Sequence, residues 1–439
     1  MIRWFAPFAF AAALLTTAPA AAVTIEKVTS PSGIQAWLVR EQAVPLVALN
    51  YAFTGGSAQD PAEKSGVANL AASLLDEGAG DLDSKTFQER LENKAIELSF
   101  SVGRDYLRGS LRVLNEHRTE AFDLLRLALT APGFDAADVE RVRGQILSGL
   151  RRDTTNPNNI AGRDWWQTAY PGHPYGRDSK GTLETVPRIG VPDLRDYVRR
   201  VFARNDLTIS IVGDIDAKAA GELIDRAFAK LPAKNDLRPV ADVTLAGLGR
   251  RNVITLDVPQ AVVTFGGNGL ARNDPDFMAA YVVNHILGGG SFSSRLYREV
   301  REKRGLAYGV SSSLVWLNHT AMLMGGTATR ADRTGDVLAI IEAETRRMAE
   351  EGPTADEMAA AKSFLKGSYA LSLDTSTKIA AQLTQIQLDN LGIDYIDRRG
   401  AMIDAITLDD AKRAAKRLYS GGMLVSVVGR PTGVLSTGQ

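Results

Sequence analysis

Arg301 and Tyr308 are the two side chains in this sequence whose types and spacing could do chemistry on a peptide. A guanidinium is a permanently charged fork of hydrogen-bond donors, and a phenol adds one more donor. Delivered from a helix end and a strand start, the two groups could grip a peptide carbonyl. The same spacing also fits a plain surface helix that leads into a sheet, and spacing alone favours this simpler interpretation.

The segment that carries this pair predicts a glycine loop, a short helix and a strand. Phe292, Leu296 and Val300 recur every four residues, which predicts one buried stripe on the helix. Gly305 is expected to end the helix, after which alternation of larger and small residues predicts a strand. Three glycines precede the helix and open backbone conformations closed to other residues: Gly288, Gly289 and Gly290.

Opposite charges four residues apart surround the apolar stripe and predict a solvated helix face. The pairs are Arg295 with Glu299, Arg298 with Glu302, and Glu299 with Lys303. Serines just after the glycines offer oxygen atoms that could cap the helix.

Composition bounds the class of protein. The chain has 439 residues, long enough for two domains, and 45% hydrophobic residues, enough for real cores. Its 51 basic and 51 acidic residues cancel, so charge gives no case for binding nucleic acid. The absence of cysteine excludes disulfides, thiolate chemistry and a lipid-anchored cysteine.

Residues 1–22 predict a secretory signal peptide. Arg3 precedes an apolar run from Trp4 to Leu15, and a stretch rich in alanine and threonine follows. An N-terminal membrane anchor is the alternative, since about 20 apolar residues can span a bilayer. Proline and small residues end the run, which favours cleavage. We therefore expect an exported protein without stable membrane insertion after cleavage, periplasmic if the source is Gram-negative.

The remaining chain predicts two homologous α+β domains, each a mostly antiparallel sheet covered on one face by helices. Each half opens with a strand, a glycine-bearing loop and an apolar helix, and each closes with an apolar strand ending in glycine: Gly213 and Gly429. The same order of elements in both halves favours an internal duplication of the domain. The expected divisions are a first domain at 23–235, a linker at 236–250, a second domain at 251–432 and a tail at 433–439.

Several motifs resemble the pitrilysin/insulinase family of inverted-motif zinc peptidases, especially its processing-peptidase branch. The segment from Gly288 to Tyr308 resembles the family's C-terminal signature, and Tyr170 to Gly176 its mid-domain signature. The matches span the mature chain. The resemblance implies the processing-peptidase fold, with paired subunits forming a clamshell.

The family's metal motif is missing. Its His-x-x-Glu-His helix, in which two histidines bind zinc and a glutamate activates water, falls on Asn69, Ala72 and Ser73. None of these is a good zinc ligand. The third ligand position falls near Arg141, within a residue or two, and neighbouring Glu140 alone could not hold zinc. We expect no metal and no cofactor in this chain.

The four histidines do not rebuild a metal site, because they are scattered along the sequence: His117, His173, His285 and His319. We expect His173 to order a loop and His285 to lie in the core or at a helix end. Ser73 is a weak candidate nucleophile, because no histidine is placed beside it in the sequence.

By resemblance, this chain would be the zinc-less subunit of a heterodimeric metallopeptidase that hydrolyses extended peptides. A paralogous partner would supply zinc, while Arg301 and Tyr308 bind the substrate and the glycine run flexes or contacts it. A pseudoenzyme that binds peptides as a scaffold or chaperone in the cell envelope is the alternative.

Overall fold

The structure is a computed structural model that describes residues 24–437, and the expected signal peptide at 1–22 lies outside them. The described strands are β1 Ile25–Thr29, β2 Gln35–Arg40, β3 Leu46–Thr54, β4 Glu97–Val102, β5 Tyr106–Leu114, β6 Leu207–Gly213, β7 Arg251–Thr255, β8 Gln260–Asn268, β9 Ala307–Leu317, β10 Thr320–Arg330 and β11 Leu424–Gly429.

The described α-helices are α1 Val67–Ala72, α2 Ser84–Asn93, α3 Arg118–Thr130, α4 Ala136–Asp153, α5 Pro157–Ala169, α6 Val191–Val201, α7 Ala217–Phe228, α8 Phe277–Asn284, α9 Arg295–Tyr297, α10 Thr334–Glu351, α11 Ala355–Leu371, α12 Ser376–Leu388, α13 Tyr395–Ala405 and α14 Leu408–Tyr419. Two π-helical turns, His285–Gly289 and Arg298–Glu302, extend α8 and α9.

The strands form two sheets of the same design. The first has the order β1-β2-β6-β3-β5-β4 and the second β7-β11-β8-β10-β9. In both, one strand pair is parallel, β2 with β6 and β7 with β11, and the neighbouring pairs are antiparallel. The second sheet therefore repeats the first from β2 onward, and the predicted α+β fold with duplicated, mostly antiparallel halves is confirmed.

Each half builds its main core on one face of its own sheet. In the first half, α3 and α7 pack together against that face, and in the second α8, α10 and α14 do so. The opposite faces are covered as well, by a helix exchanged between the halves. Helix α12 packs on β3 and β6, and α5 packs on β8 and β11. The expectation that helices cover one face only was therefore wrong.

The exchanged helices are held by specific bonds. Trp165 of α5 is fully buried, and its indole Nε1 donates to the Leu424 carbonyl at 3.1 Å. Gln387 of α12 donates from Nε2 to the Ile209 carbonyl at 3.0 Å. The segment 232–250 between the halves has no helix or strand, yet it is packed, with Leu245 buried beside Trp165.

Four elements were not predicted from the sequence: α5, α10, α13 and β10. Asn156 and Pro157 follow the end of α4 and begin α5. Asn156 accepts hydrogen bonds from two backbone amides of the new helix, and Pro157 is its first residue, where a missing N–H costs nothing. Across residues 24–437, no helix is long and apolar enough to cross a membrane.

Candidate functional site

The segment that carries Arg301 is a short helix anchored by two buried side chains. Ser294 caps it by accepting a hydrogen bond from the Tyr297 amide. Leu296 and Val300 are fully buried, as the apolar stripe predicts. Phe292, the third member of that stripe, instead lies in a separate 3-10 turn and is 71% exposed. The stripe fails there because the helix begins only at Arg295.

Two of the three predicted charge pairs are wrong. Arg295 is buried and reaches another helix, donating Nε and Nη2 to the two carboxylate oxygens of Glu357 at 2.7 and 2.6 Å. Arg298 also lies nearer to Glu357, at 3.8 Å. The Glu299–Lys303 pair is confirmed, at 2.6 Å. Hydrogen bonds from Lys303 and Arg304 hold the pKa of Glu299 down at about 2.

The buried Arg295–Glu357 ion pair holds α9 in place through a residue of another helix, α11. Burial opposes ionisation of Glu357, but hydrogen bonds from Arg295 and from the Thr354 backbone outweigh it and lower its pKa to about 2. A bidentate guanidinium–carboxylate pair sets orientation as well as distance. It therefore positions the helix and with it Arg301.

Tyr308 is placed by a β-bulge. The pairing of β9 with β10 shifts register between Val310 opposite Thr327 and Ala307 opposite Thr329, so one extra residue of β9 lies there. The predicted alternation put Tyr308 on the same face as Val310. The bulge breaks that phase, so Val310 is buried whereas Tyr308 is 84% exposed.

Arg301 and Tyr308 meet at the surface, one packed on the other. The guanidinium carbon of Arg301 lies 4.3 Å from the centroid of the Tyr308 ring and 5.1 Å from that of Tyr297. Such cation–π contacts hold a guanidinium in place without using its N–H donors. Among the described residues Arg301 forms no ion pair, whereas its neighbours Arg298, Lys303 and Arg304 pair with Glu357 or Glu299. The donors of both side chains thus face solvent.

The glycine run is explained by packing rather than by unusual backbone angles. None of Gly288, Gly289 and Gly290 has a positive φ. A Cβ on Gly288 would lie 2.3 Å from the Ser312 Oγ, and one on Gly290 would lie 2.8 Å from the His285 carbonyl oxygen. The expectation of special backbone conformations was wrong for these three residues, and the run forms a packed turn against β9.

The helix that replaces the metal motif is intact but carries no metal ligands. Helix α1 begins at Val67, and the carboxylate of Asp60, seven residues earlier, accepts hydrogen bonds from the amides of Gly66 and Ala68 at 2.8 and 2.9 Å. On the helix, Asn69 is half-buried and Ala72 is buried. Ser73 is exposed and donates its hydroxyl to the Asn69 carbonyl at 2.9 Å, so it points back to its own helix.

The residues expected near the third ligand position form ion pairs. Arg141 donates to Glu77 at 2.7 Å and to Asp138 at 2.9 Å, and Glu140 pairs with Arg143 at 3.2 Å. Within residues 24–437, no group of three or more His, Asp or Glu side chains could hold a metal ion.

Two of the four histidines have clear structural roles. His173 orders its loop as expected, because its Nδ1 accepts from the Tyr175 amide at 3.1 Å while Nε2 lies 3.0 Å from the Ala241 carbonyl. His285 is buried and stacks on Phe364 at 5.0 Å, and burial lowers its pKa.

The two candidate segments belong to different halves of the molecule. Helix α1 packs against α4 and α6 of the first half, whereas the turn that carries Arg301 packs against β9 and α10 of the second. The structure brings Arg301 together with Tyr308 and with Tyr297, an aromatic ring that sequence reasoning left out of the site. Phe292, which lies within the glycine-serine run, contacts Tyr297 with 5.1 Å between ring centroids.

Fold and site together define a duplicated α+β peptidase-like protein that lacks the metal ligands of its class. Residues 38–182 match the model of the insulinase family, peptidase family M16, and residues 188–365 match that of the peptidase M16 inactive domain. The chain belongs to peptidase family M16, as the sequence motifs indicate.

Some relatives are named as peptidases and another is named as a non-peptidase. An uncharacterized zinc protease of Streptomyces coelicolor is 27% identical over 414 residues, covering 92% of this chain and 90% of that protein. The non-peptidase homolog YmxG of Helicobacter pylori is 28% identical over 334 residues, covering 76% and 77%.

Solved structures agree on the fold. A peptidase M16 inactive domain from Pseudomonas fluorescens superposes with a TM-score of 0.88 at 27% identity, covering 94% of this chain and 99% of that one. A protease from Helicobacter pylori gives 0.84 at 17% identity, covering 93% and 100%, which shows the fold alone.

Proposed function

We propose that this chain is the zinc-less, substrate-binding subunit of a heterodimeric metallopeptidase. A paralogous partner supplies the zinc, its ligands and the general base, and the assembled pair hydrolyses extended peptides. On this proposal the protein is not catalytic by itself, and the chain acts after export and loss of its signal peptide, in the periplasm if the source is Gram-negative.

One observation carries the proposal. Arg301 and Tyr308 are held together at the surface with free donors, while α1, where the family binds zinc, offers Asn69, Ala72 and Ser73. A guanidinium and a phenol fixed by a helix and a bulge, but unused within their own chain, fit a site completed by another molecule.

The chemistry assigned to this chain is orientation and charge stabilisation. When bound in the partner, zinc would activate the attacking water. In this chain the Arg301 guanidinium and the Tyr308 hydroxyl would donate to the scissile carbonyl oxygen as it gains negative charge. The glycine turn at 288–290, which packs on Ser312 of the strand that carries Tyr308, would carry the peptide backbone past the pair.

Reconstitution tests the proposal. The mature chain and its zinc-bearing paralogue are purified separately, their zinc content is measured, and cleavage of an unfolded peptide is followed for each alone and for the mixture. We expect stoichiometric zinc only in the paralogue and full cleavage only in the mixture. Cleavage by this chain alone, or no gain on mixing, would overturn the proposal.

A peptide-binding scaffold or chaperone of the cell envelope is the second candidate. It is supported by the same missing ligands and by the name of the Helicobacter pylori relative, a non-peptidase homolog. The scaffold or chaperone function is favoured if Arg301 and Tyr308 can be replaced without loss of activity in any partner-dependent cleavage assay.

A further inference from the structure

A cleft of about 840 Å³ lies where the two halves of the chain meet, and neither Arg301 nor Tyr308 lines it. Its first-half wall is the turn between β4 and β5 with the start of β5. Its second-half wall is the end of β9, the loop before α8 and the end of α12. Cavities of about 300–1,000 Å³ are the size that small ligands and short peptide segments occupy.

Arg108 is a positive charge in this cleft without a carboxylate partner. It is half-buried, and its Nη2 donates to the Oε1 of Gln385 at 2.6 Å. Among the described residues it forms no ion pair, and burial lowers the pKa of its guanidinium. A partly desolvated charge is normally matched by an opposite one, so the remaining N–H donors of Arg108 suit an anion from outside the chain.

The other charged groups around the cleft are already engaged. Asp389 accepts from the Trp316 indole and from the Gln385 amide, each at 2.9 Å. Asp105 accepts from the Tyr175 hydroxyl and the Asn318 amide, and Asp274 is held by Arg417. These carboxylates keep their negative charge, and that of Asp389 favours the charged form of Arg108, but none of them forms an ion pair with Arg108.

The second guanidinium, that of Arg272, is also engaged and serves as part of the wall. It lies 4.4 Å from the Phe277 ring centroid, its Nη2 donates to the Tyr395 hydroxyl at 2.9 Å, and its side chain is 12% exposed. Arg104 is stacked over Trp166 at 3.5 Å and donates to the Tyr175 carbonyl. Arg104 and Arg108 thus both retain N–H donors that no described residue accepts from, and of the two only Arg108 donates to the second-half wall, at Gln385.

Much of the remaining lining is apolar: Met278, Leu314, Leu317 and Leu388 join Trp316 around the cavity, beside the polar side chains of Asn273, Asn318 and Asn390. A guanidinium beside an apolar surface suits a ligand that carries a carboxylate and an aliphatic side chain on the same carbon atom, which is the chemistry of a peptide's last residue.

We propose that this cleft binds the C-terminal end of a peptide, with the terminal carboxylate on Arg108 and an apolar last side chain against Trp316 and Met278. The proposal goes beyond the function proposed above, because it needs neither a partner subunit nor a reaction.

The cleft is far enough from the Arg301–Tyr308 pair to be tested separately. Tyr308 and Trp316 lie on the same strand, β9. Eight residues of strand span about 26 Å at ~3.3 Å per residue, whereas a four-residue peptide spans about 13 Å at most. A tetrapeptide that fills the cleft therefore does not reach the pair.

Calorimetric titration of the single mature chain with three tetrapeptides provides the test. The probes are acetyl-Ala-Ala-Ala-Leu with a free carboxylate, its C-terminal amide, and the amide of acetyl-Ala-Ala-Glu-Leu. We expect the free acid to bind and both amides to bind at least about 10-fold more weakly, because they lose a charge-assisted hydrogen bond at the terminus. Absence of free-acid binding overturns the proposal, and equal binding of the glutamate-bearing amide overturns the assignment to the chain terminus.

Matched variants on β5 locate the site. Arg108→Gln should weaken binding of the free acid about 10- to 100-fold and leave binding of the amides unchanged, since the substitution removes the positive charge that faces the terminal carboxylate. Arg112→Gln is the control, because Arg112 lies on the same strand, is exposed and pairs with Glu97. Arg108→Lys, which keeps the charge, should retain part of the affinity, and thermal unfolding should show all three variants folded. Wild-type affinity in Arg108→Gln contradicts the proposal.

Discussion

At the scale of the residue, Arg301 and Tyr308 matter because their hydrogen-bond donors have no partner among the described residues. The nearby Arg295, Arg298 and Arg304 are drawn to Glu357 or Glu299. Arg301 rests instead on aromatic rings, which fix its position and leave its donors open. Replacing a side chain held in this way should therefore reduce activity far more than it reduces the free energy of unfolding.

Arg301→Ala should lower kcat of the reconstituted pair by about 10²–10³-fold, since one donor to a developing oxyanion is worth that much. Tyr308→Phe should act in the same direction. The measurement is steady-state cleavage by the mixed subunits, with co-purification of the partner as the check on assembly. Arg304→Ala, which breaks only a pair with Glu299, is the control. Equal turnover in Arg301→Ala and wild type would rule out the assigned role.

Gly288→Ala should destabilise the protein by about 1–3 kcal/mol, because its methyl group would press on Ser312 in a packed turn. Gly309→Ala is the matched control, since a Cβ there meets nothing within 4 Å. Urea unfolding of both variants makes the comparison. If Gly288→Ala is as stable as Gly309→Ala, the glycine run is not required by packing and must be explained by substrate contact.

At the scale of the element, the turn around Arg301 is positioned from a distant helix. Arg295 is 4% exposed at its side chain and depends on Glu357 of α11 for its charge balance. The strand beside it is re-aimed by a bulge that brings Tyr308 to the surface. Both devices depend on elements outside the segment from Gly288 to Tyr308: Glu357 of α11 holds Arg295, and pairing with β10 forms the bulge.

Glu357→Gln should cost about 3 kcal/mol, because it leaves the buried Arg295 without its counter-charge. Asp356→Asn, at the exposed neighbouring position, should change stability little. Urea unfolding at neutral pH compares the two variants.

Acid should weaken the ion pair between Arg295 and Glu357. The pKa of Glu357 is depressed from 4.5 to about 2 in the folded chain, so the unfolded state binds more protons between these values. The stabilisation is therefore full above pH 4.5 and is lost as pH falls toward 2. Unfolding curves across this window should show a loss that Glu357→Gln lacks, and equal slopes in both proteins would contradict the assignment.

At the scale of the whole molecule, the exchanged helices α5 and α12 join the two halves into one unit. Each covers the sheet of the opposite half and is held there by buried side chains and polar bonds. Asp164 of α5, for example, accepts hydrogen bonds from Asn252 and Ser426 in the second sheet. The cleft with Arg108 lies along the same junction.

The described chain should consequently unfold in one cooperative transition, although it contains two sheets and two main cores. Trp165→Ala should lower the stability of both halves together by about 3–5 kcal/mol, since it opens a large cavity at the shared surface. Calorimetry with hydrogen exchange on β3 and β8 would measure this. Two separate transitions, or loss of protection in one half only, would show that the halves are independent.

Sequence alone determined much of this protein, because periodicity, glycine signals and motifs are local. It specified the α+β class, the duplication, most strands and helices, and the missing ligands at Asn69, Ala72 and Ser73. It failed on α5, because a proline that ends one helix also begins the next. It also failed on α10, α13 and β10, which were not recognised in the pattern.

Only the tertiary structure decided which side chains have hydrogen-bond or ion-pair partners and which are exposed. The partners of Arg295 and Arg108 lie 62 and 277 residues away, so no helical or strand spacing could identify them. The exposure of Tyr308 depends on one extra residue in a strand, which shifts the alternation by a single position. Helix exchange between the halves arises because each sheet needs both apolar faces covered, and only folding brings a distant helix to the uncovered one.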